Sequence, residues 1–481
     1  MVPEALRHID EAVRAFTLNY GDVTMHLAKA REAAPGCVMA DLLQAWLLVL
    51  SNDQAQVAHA RELVFGISSD GLSDREREHL AVLRLASEGR WPSAVAVLDR
   101  HLMSDPHDLA GHQCALRLDG YLGRFHRAAA RSARALPFWS RDEPGYGIML
   151  SFYGFGLEEL GDYTRSEDIS REAAELEPYG YWPHHAVSHV LEMTGRAQEG
   201  LAWMEGRLPY WSDQKCNNRV HIWWHKALYH IELGQFEEAL SLYDGEILGA
   251  MRPVGTQLCN ATALLWRLET LGCEAGDRWR HQLTLWLKQL SGMSSPFNEI
   301  HATMAALRAD DRAAYETVLA GMKRSAAAGG ELVPAYRDFA IPVAEAMARF
   351  VDRDYAGAVE GLLGAEAELW QMWGSIAQRD LVKWTLTEAA IRAGLRDVAL
   401  SLTNERMALK HGSSVNRQFL VAADAIRILE QIPNPSLPGL PQSQGFTEVR
   451  TCRHIRNRAF CVPATRPHAQ RNAGPTSPIN G

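Results

Sequence analysis

The segment 230-HIELGQFEEALSLYD-244 decides the fold. An apolar helix runs into a glycine. After one further residue comes an aromatic, and then a second helix with a small alanine on its inner face. The same phrase occurs at 85-LASEGRWPSAVAVL-98, 118-LDGYLGRFHRAAA-130, 157-LEELGDYTRSED-168 and 190-VLEMTGRAQEGLAWM-204. The hinge glycines are Gly89, Gly123, Gly161, Gly195 and Gly234, at separations of 34, 38, 34 and 39 residues. A helix–turn–helix unit at a period of roughly 34 residues is the signature of tetratricopeptide repeats. Glycine ends the first helix in a left-handed residue. Trp91, Phe125, Tyr163 and Phe236 pack under the turn, and Ala94, Ala128 and Ala239 let the paired helices approach closely. The unit at Gly195 is degenerate, with Ala197 where the others carry an aromatic.

The second half keeps the period less well, with units at 343-VAEAMARFVDRDYAGAVEGLL-363 and 386-LTEAAIRAGLRDVALSL-402. No stretch alternates with period two for long, so little or no sheet is expected. The reading is an all-α, tetratricopeptide-like α-solenoid over 1–432, followed by a Pro/Arg-rich disordered tail over 433–481. That tail opens with 433-PNPSLPGLPQSQGF-446, which cannot hold a helix.

The chain has 481 residues, 47% of them apolar, and a formal net charge of −9. That charge argues against nucleic acid as a main partner. Seven scattered cysteines without a CxxC pair read as reduced thiols. The opening MVPEALRHIDEAVRAF lacks an apolar signal core, and 42-LLQAWLLVL-50 is too short to span a bilayer. A cytoplasmic protein without a membrane partner is expected.

Six of nineteen histidines, His184, His185, His189, His221, His225 and His230, lie in two adjacent units. In 185-HAVSHVLE-192, His185, His189 and Glu192 fall at i, i+4 and i+7, and in 221-HIWWH-225 two histidines fall at i, i+4. Each set shares a helix face. Two imidazoles and a carboxylate from one helix, completed by two imidazoles from the next, suit a divalent metal. The preferred reading of the same residues is a metal-free polar seam in which Glu192 fixes a histidine tautomer. Position 186 is Ala, so this is not the HExxH zinc-protease motif. Trp139, Trp182, Trp203, Trp211, Trp223, Trp224 and Trp266 crowd the same region, mostly as core, with some available to wall a pocket. Tyr153 and Glu159 sit on the preceding first helix of a unit, the kind that lines a concave face. In 377-AQRDL-381 a buried Arg379 would be an anion clamp, and in 297-FNEIH-301 Asn298 is placed to cap a helix with His301 turned inward.

Eight segments are more specific than repeat consensus: 137-PFWSRDEPGYG-147, 152-FYGFGLEELGDY-163, 185-HAVSHVLEM-193, 221-HIWWHKALYHIE-232, 243-YDGEIL-248, 296-PFNEIHATMAAL-307, 337-RDFAIP-342 and 377-AQRDL-381. Through them the chain resembles the tetratricopeptide repeat protein 38 family from near its start to about residue 430. The resemblance implies a solenoid curled into a closed superhelix, and it brings no settled reaction. It points to His185, His189 and Glu192, to His221, Trp224 and His225, to Asn298 and His301, and to Gln378, Arg379 and Asp380. Glu299 stands where the family usually has Asp, and His184 and His230 have no counterpart.

Two functions follow as expectations. One is a His/Trp-lined concave pocket holding a small molecule, peptide or protein. The other is an enzyme, hydrolase-like and either metal-assisted or metal-free acid–base, built on His185, His189, Glu192, His221 and His225. Both require those histidines to converge, and both place Arg379 at the same cavity despite about 150 residues of intervening sequence.

Overall fold

All five hinge glycines adopt positive φ: Gly89 at 74°, Gly123 at 66°, Gly161 at 79°, Gly195 at 71° and Gly234 at 71°. They join Asp74–Ser87 to Trp91–Ser104, Leu109–Tyr121 to Arg127–Ala135, Tyr146–Glu158 to Tyr163–Leu176, Tyr181–Met193 to Ala197–Gly206, and Arg219–Glu232 to Phe236–Leu242. The computed structural model describes residues 2–252, 254–290 and 295–431, with side chains to residue 426. The expected tail over 433–481 lies outside the described residues.

The second half contains the same hairpins with different hinges. Gly272, Asp310, Arg353 and Gly394 hold the left-handed positions, at φ 95°, 59°, 68° and 72°. Two of the four are not glycine. An aspartate or arginine tolerates this region at some cost, so counting glycines loses the period there. Aspartates and serines start many helices. Asp108, Asp311 and Asp354 accept from the backbone N–H three residues on, and Ser73 and Ser375 form full capping boxes with Glu76 and Gln378.

Each hairpin has an inner and an outer helix. The outer helix Tyr163–Leu176 buries only Ser166, Ser170, Ala173 and Ala174. Along the inner helix Tyr181–Met193 every residue is buried. Inner helices are covered on one side by their outer partners and on the other by parts of the chain far away in sequence. The Trp266 indole donates to Thr385 Oγ1 at 2.9 Å, and the Trp384 indole to Thr270 Oγ1 at 2.8 Å. Lys410 pairs with Glu232 at 2.8 Å, so the C-terminal hairpin packs back onto the middle of the chain. At the other end, Arg14 pairs with Glu177 at 2.6 Å, and the Gly21 N–H donates to the Lys215 carbonyl at 2.9 Å.

A further crossing is at 370–376. The Gly374 N–H donates to the Gly120 carbonyl at 3.1 Å, and the Ile376 N–H to Glu159 Oε1 at 2.9 Å. Trp373, at φ 75°, packs against the Trp91 and Tyr121 rings at 4.9 and 5.7 Å, and those two rings are themselves 5.3 Å apart. The chain is an all-α tetratricopeptide-like α-solenoid curled into a superhelix. Among the described residues there is no strand beyond an isolated Tyr20–Cys216 bridge. None of these helices is long and apolar enough to cross a membrane.

Two hinges separate local strain from closure. A Cβ on Gly161 would meet nothing within 4 Å, whereas one on Gly123 would sit 1.8 Å from the Trp370 carbonyl oxygen. Gly161→Ala should therefore cost about 1–2 kcal/mol, the left-handed penalty alone. Gly123→Ala should cost about 3 kcal/mol or more, because the crossing must move. Urea unfolding of both variants measures this, and equal losses would contradict it.

Candidate functional site

The i, i+4 spacing brings His185 beside His189, with ring centroids 4.3 Å apart, and His221 beside His225, at 4.7 Å. Their inner helices are neighbours, so the two pairs meet. His185 Nε2 lies 3.0 Å from His221 Nε2, His225 Nε2 lies 3.3 Å from His221 Nε2, and the His189 and His225 rings are 4.5 Å apart. One ring nitrogen from each of the four lies within 4.8 Å of all the others.

Partners outside the cluster orient two rings. Asn260 gives its Nδ2 to the Thr256 carbonyl and turns Oδ1 to His221 Nδ1 at 2.7 Å. Glu192 Oε2 lies 2.8 Å from His225 Nδ1. Both Nδ1 atoms are therefore N–H donors, and each Nε2 keeps its lone pair. On the metal reading Glu192 would join His185 and His189 as one ligand set, and on the metal-free reading it would fix a histidine tautomer; it meets His225 on the next helix, with its other oxygen 4.0 Å from Lys410. The Trp224 ring stacks on His221 at 5.1 Å and 15°.

Burial holds the cluster below the ordinary histidine range. His221 is pushed down to about 3, chiefly by burial and against the Asn260 hydrogen bond. Burial first, then the neighbouring imidazoles, holds His185 and His225 well below the usual histidine range, and burial also lowers His189.

Behind His189 lie two acids. Glu158 is fully buried and approaches His189 Nδ1 to 3.3 Å, without hydrogen-bond geometry; neither carboxyl oxygen has a partner. Burial raises its pKa to about 8 and that of Glu159 to about 7, with Arg379 opposing both. At the Glu158–His189 contact burial thus favours the uncharged form of both groups.

In front of His185 and His221 is a pocket of about 100 Å³. Tyr121, Phe125, Tyr181, Trp182, Phe297 and Trp373 give it flat walls, and Asn52, Asn218, Asn260, Asn298 and Gln378 give it amides. Its lining spans positions 52 to 378, and no lining residue is exposed. Arg117 supplies a cation. It donates to the Tyr121 hydroxyl at 3.1 Å, and among the described residues no carboxylate lies within ion-pair distance of it.

The expected site residues divide. His185, His221, Asn298 and Gln378 reach the pocket. His189, His225 and Glu192 lie behind, and Trp224 flanks them. His301 is buried with Nδ1 bonded to the Phe297 carbonyl at 2.7 Å. Asn298 does not cap its helix. Ser295 does, accepting from the Asn298 N–H, while the Asn298 side chain lines the pocket with its Oδ1 accepting from the Cys259 thiol at 3.4 Å. Arg379 is no free anion clamp: it is held by the Gly374 carbonyl and by Glu159 at 3.3 Å, so its charge answers a carboxylate already present. Asp380 pairs with Arg406 at 2.6 Å. Tyr153 faces away, its hydroxyl accepting from Arg165 on the surface at 2.6 Å. Sequence reading missed Arg117, Asn52, Asn218, Asn260 and Glu158. A weak signal existed for one: Asn52 occupies the first-half hinge at φ 61°, where a polar residue replaces glycine.

No family model matches the chain. Among solved structures, the human IFIT1 dimer with PPP-AAAA is similar at 14% identity over 88% of this chain and 95% of that one, with a TM-score of 0.40. The APC/C hetero-tetramer Cut9–Hcn1 aligns at 13% identity over 83% and 72%, with a TM-score of 0.40. Yeast Tom70 aligns at 13% identity over 90% of each chain, with a TM-score of 0.34.

Three buried histidines outside the cluster set an acid limit. Burial pushes His112, His184 and His301 down to about 4, assisted by Arg131, Arg207 and Arg267 respectively. Their folded pKa lies below the unfolded value of about 6.5. The unfolded chain thus binds more protons between the two, and stability falls as pH drops from about 6.5 to about 4. Replacing His301 with Gln should remove about one proton from the slope of unfolding free energy against pH in that window. Urea unfolding across the window measures it, and an unchanged slope would show that His301 is not held neutral.

Proposed function

We propose that this chain is a binding protein of the tetratricopeptide repeat protein 38 type, whose interior pocket takes a compact anionic small molecule. Arg117 carries the reading. A guanidinium that faces an internal pocket without a carboxylate partner is costly unless a ligand supplies the counter-charge. Planar, bidentate recognition of a carboxylate or phosphate is what a guanidinium does well. The surrounding amides offer both donors and acceptors, and the aromatic walls suit a flat group.

Size narrows the class. A dry cavity of about 150 Å³ holds benzene, so a pocket of about 100 Å³ fits a small acid of about four to six heavy atoms. A peptide, protein or nucleic-acid strand needs an open groove much larger than this pocket. Two observations favour binding over turnover. Of the five residues expected to form a catalytic cluster, only His185 and His221 reach the pocket, and both are held neutral, which suits recognition better than proton transfer near pH 7. The segments carrying the family resemblance, around His185, His221, Asn298 and Gln378, meet at this pocket, which supports the family reading. A cytoplasmic location belongs to the same proposal, supported by the free thiols of Cys37, Cys114, Cys216, Cys259 and Cys273.

Thermal-shift screening with small carboxylates and phosphomonoesters should find a stabilising ligand. Arg117→Met should weaken that ligand by about 10- to 100-fold, the worth of a charge-assisted hydrogen bond. The same variant should leave the ligand-free Tm unchanged or raise it, because an uncompensated charge is gone. Unchanged affinity, or a ligand-free protein that loses stability, would show Arg117 to be structural.

A further inference from the structure

The four histidines behind the pocket hold more lone pairs than a metal-free network can use. His221 Nδ1–H is committed to Asn260 and His225 Nδ1–H to Glu192, at 2.7 and 2.8 Å. The Nε2 lone pairs of these two rings then face each other at 3.3 Å. A proton on His185 Nε2 could answer His221, 3.0 Å away, but His225 Nε2 would stay without a donor. His185 Nδ1 and both ring nitrogens of His189 are also buried without hydrogen-bond partners. Such groups in a native interior call for a missing partner.

We propose that His185, His189, His221 and His225 bind one divalent first-row metal ion, Zn²⁺ in the first instance. Imidazole nitrogens at about 2.0–2.1 Å from a tetrahedral Zn²⁺ lie about 3.3–3.4 Å from one another. The Nε2 separations of 3.0 and 3.3 Å approach that edge length. A ligating histidine characteristically gives its other N–H to a carboxylate or carbonyl, which fixes the ring and makes the ligating nitrogen more basic. Glu192 does this for His225, and Asn260 for His221. Glu158, against His189, places a second carboxyl beside the bound charge. Helix spacing makes the geometry possible: i, i+4 histidines on two neighbouring inner helices form the four corners. The ion would stand behind His185 and His221, as part of the pocket's back wall, yet its binding does not depend on the pocket having a ligand.

The experiment uses Zn²⁺ alone as the probe. The full chain, stripped with a chelator, is titrated with Zn²⁺ against a competing indicator, and elemental analysis gives the metal content of untreated protein. One ion per chain and a rise in Tm on adding Zn²⁺ are expected. His189→Gln and His225→Gln should abolish stoichiometric binding. Should either fail to fold, Glu192→Gln keeps all four ligands and should weaken Zn²⁺ by about 10- to 100-fold, the usual effect of losing an outer carboxylate. Arg117→Met should bind Zn²⁺ as the wild type does, so loss of the anionic-ligand reading and loss of the metal site are separately visible. Folded wild type that takes up no stoichiometric Zn²⁺, or uptake unaffected by Glu192→Gln and both histidine variants, overturns the site.

Discussion

Closing a helical-repeat superhelix on itself removes the solvent from its concave face. In an open solenoid the inner helices are buried on one side and wet on the other. Here Trp373 and Gly374 cross to the Gly120 turn, and the Ile376 N–H ends on Glu159. The inner helices are thereby enclosed, down to the last residue in Tyr181–Met193. Any polar side chain they direct inward must find its partner within the protein or in something bound there. The left-handed Trp373, of order 1–3 kcal/mol in strain, is sustained by its packing against Trp91 and Tyr121.

The interior answers this constraint unevenly. Arg131 meets Asp99 and Asp119 at 2.8 and 2.6 Å, Arg406 meets Asp380, and Lys410 meets Glu232, so most buried charge is paired at short range. Arg267 gives its N–H groups to backbone carbonyls of Ala263 and Ala377. Glu158 is relieved by losing its charge, burial having raised its pKa to about 8. Arginine has no such escape, because it stays protonated. Buried polar atoms without a hydrogen-bond partner include Asn52 Oδ1, Ser170 Oγ, Glu299 Oε2 and Thr303 Oγ1 as well as His185 Nδ1 and both ring nitrogens of His189. What sets the histidines apart is that they adjoin a cation: Arg117, His185 and His221 line one pocket, with His189 and His225 directly behind.

The repeat was legible because it depends on short-range rules. A left-handed residue ends a helix, an aromatic two places on packs beneath the turn, and a small residue follows. Every first-half hinge chosen from glycine is left-handed in the structure. The second half hid a hinge in Asp310, which occupies the same backbone region without advertising it, whereas the Arg353 hinge lies inside the unit read at 343–363. Convergence of the histidines was legible for a similar reason, since i, i+4 pairs on adjacent units must lie close. Partner choice was not. Glu192 sits one turn beyond His189 yet turns to His225, and Arg379 turns to Glu159, because those decisions follow from helix-to-helix geometry. Likewise nothing in 158-EE-159 distinguishes the carboxyl that meets His189 from the one that meets Ile376.

The residues hardest to read were those that the closure itself makes functional. Asn52, Arg117, Asn218 and Asn260 belong to four different units, and each alone is an ordinary polar residue in or beside a helix. They acquire a common role only when positions 52 and 378 face the same pocket, a relation no window of sequence contains. The solenoid's local grammar explains how the chain can be extended unit by unit. Its curvature decides which polar positions end up together, and the curvature is the sum of small rotations at every hinge. An inner-face amide or cation can therefore carry no local motif and still be required. Its meaning lies in the distance across the hollow, which the crossing at Trp373 and Gly374 sets.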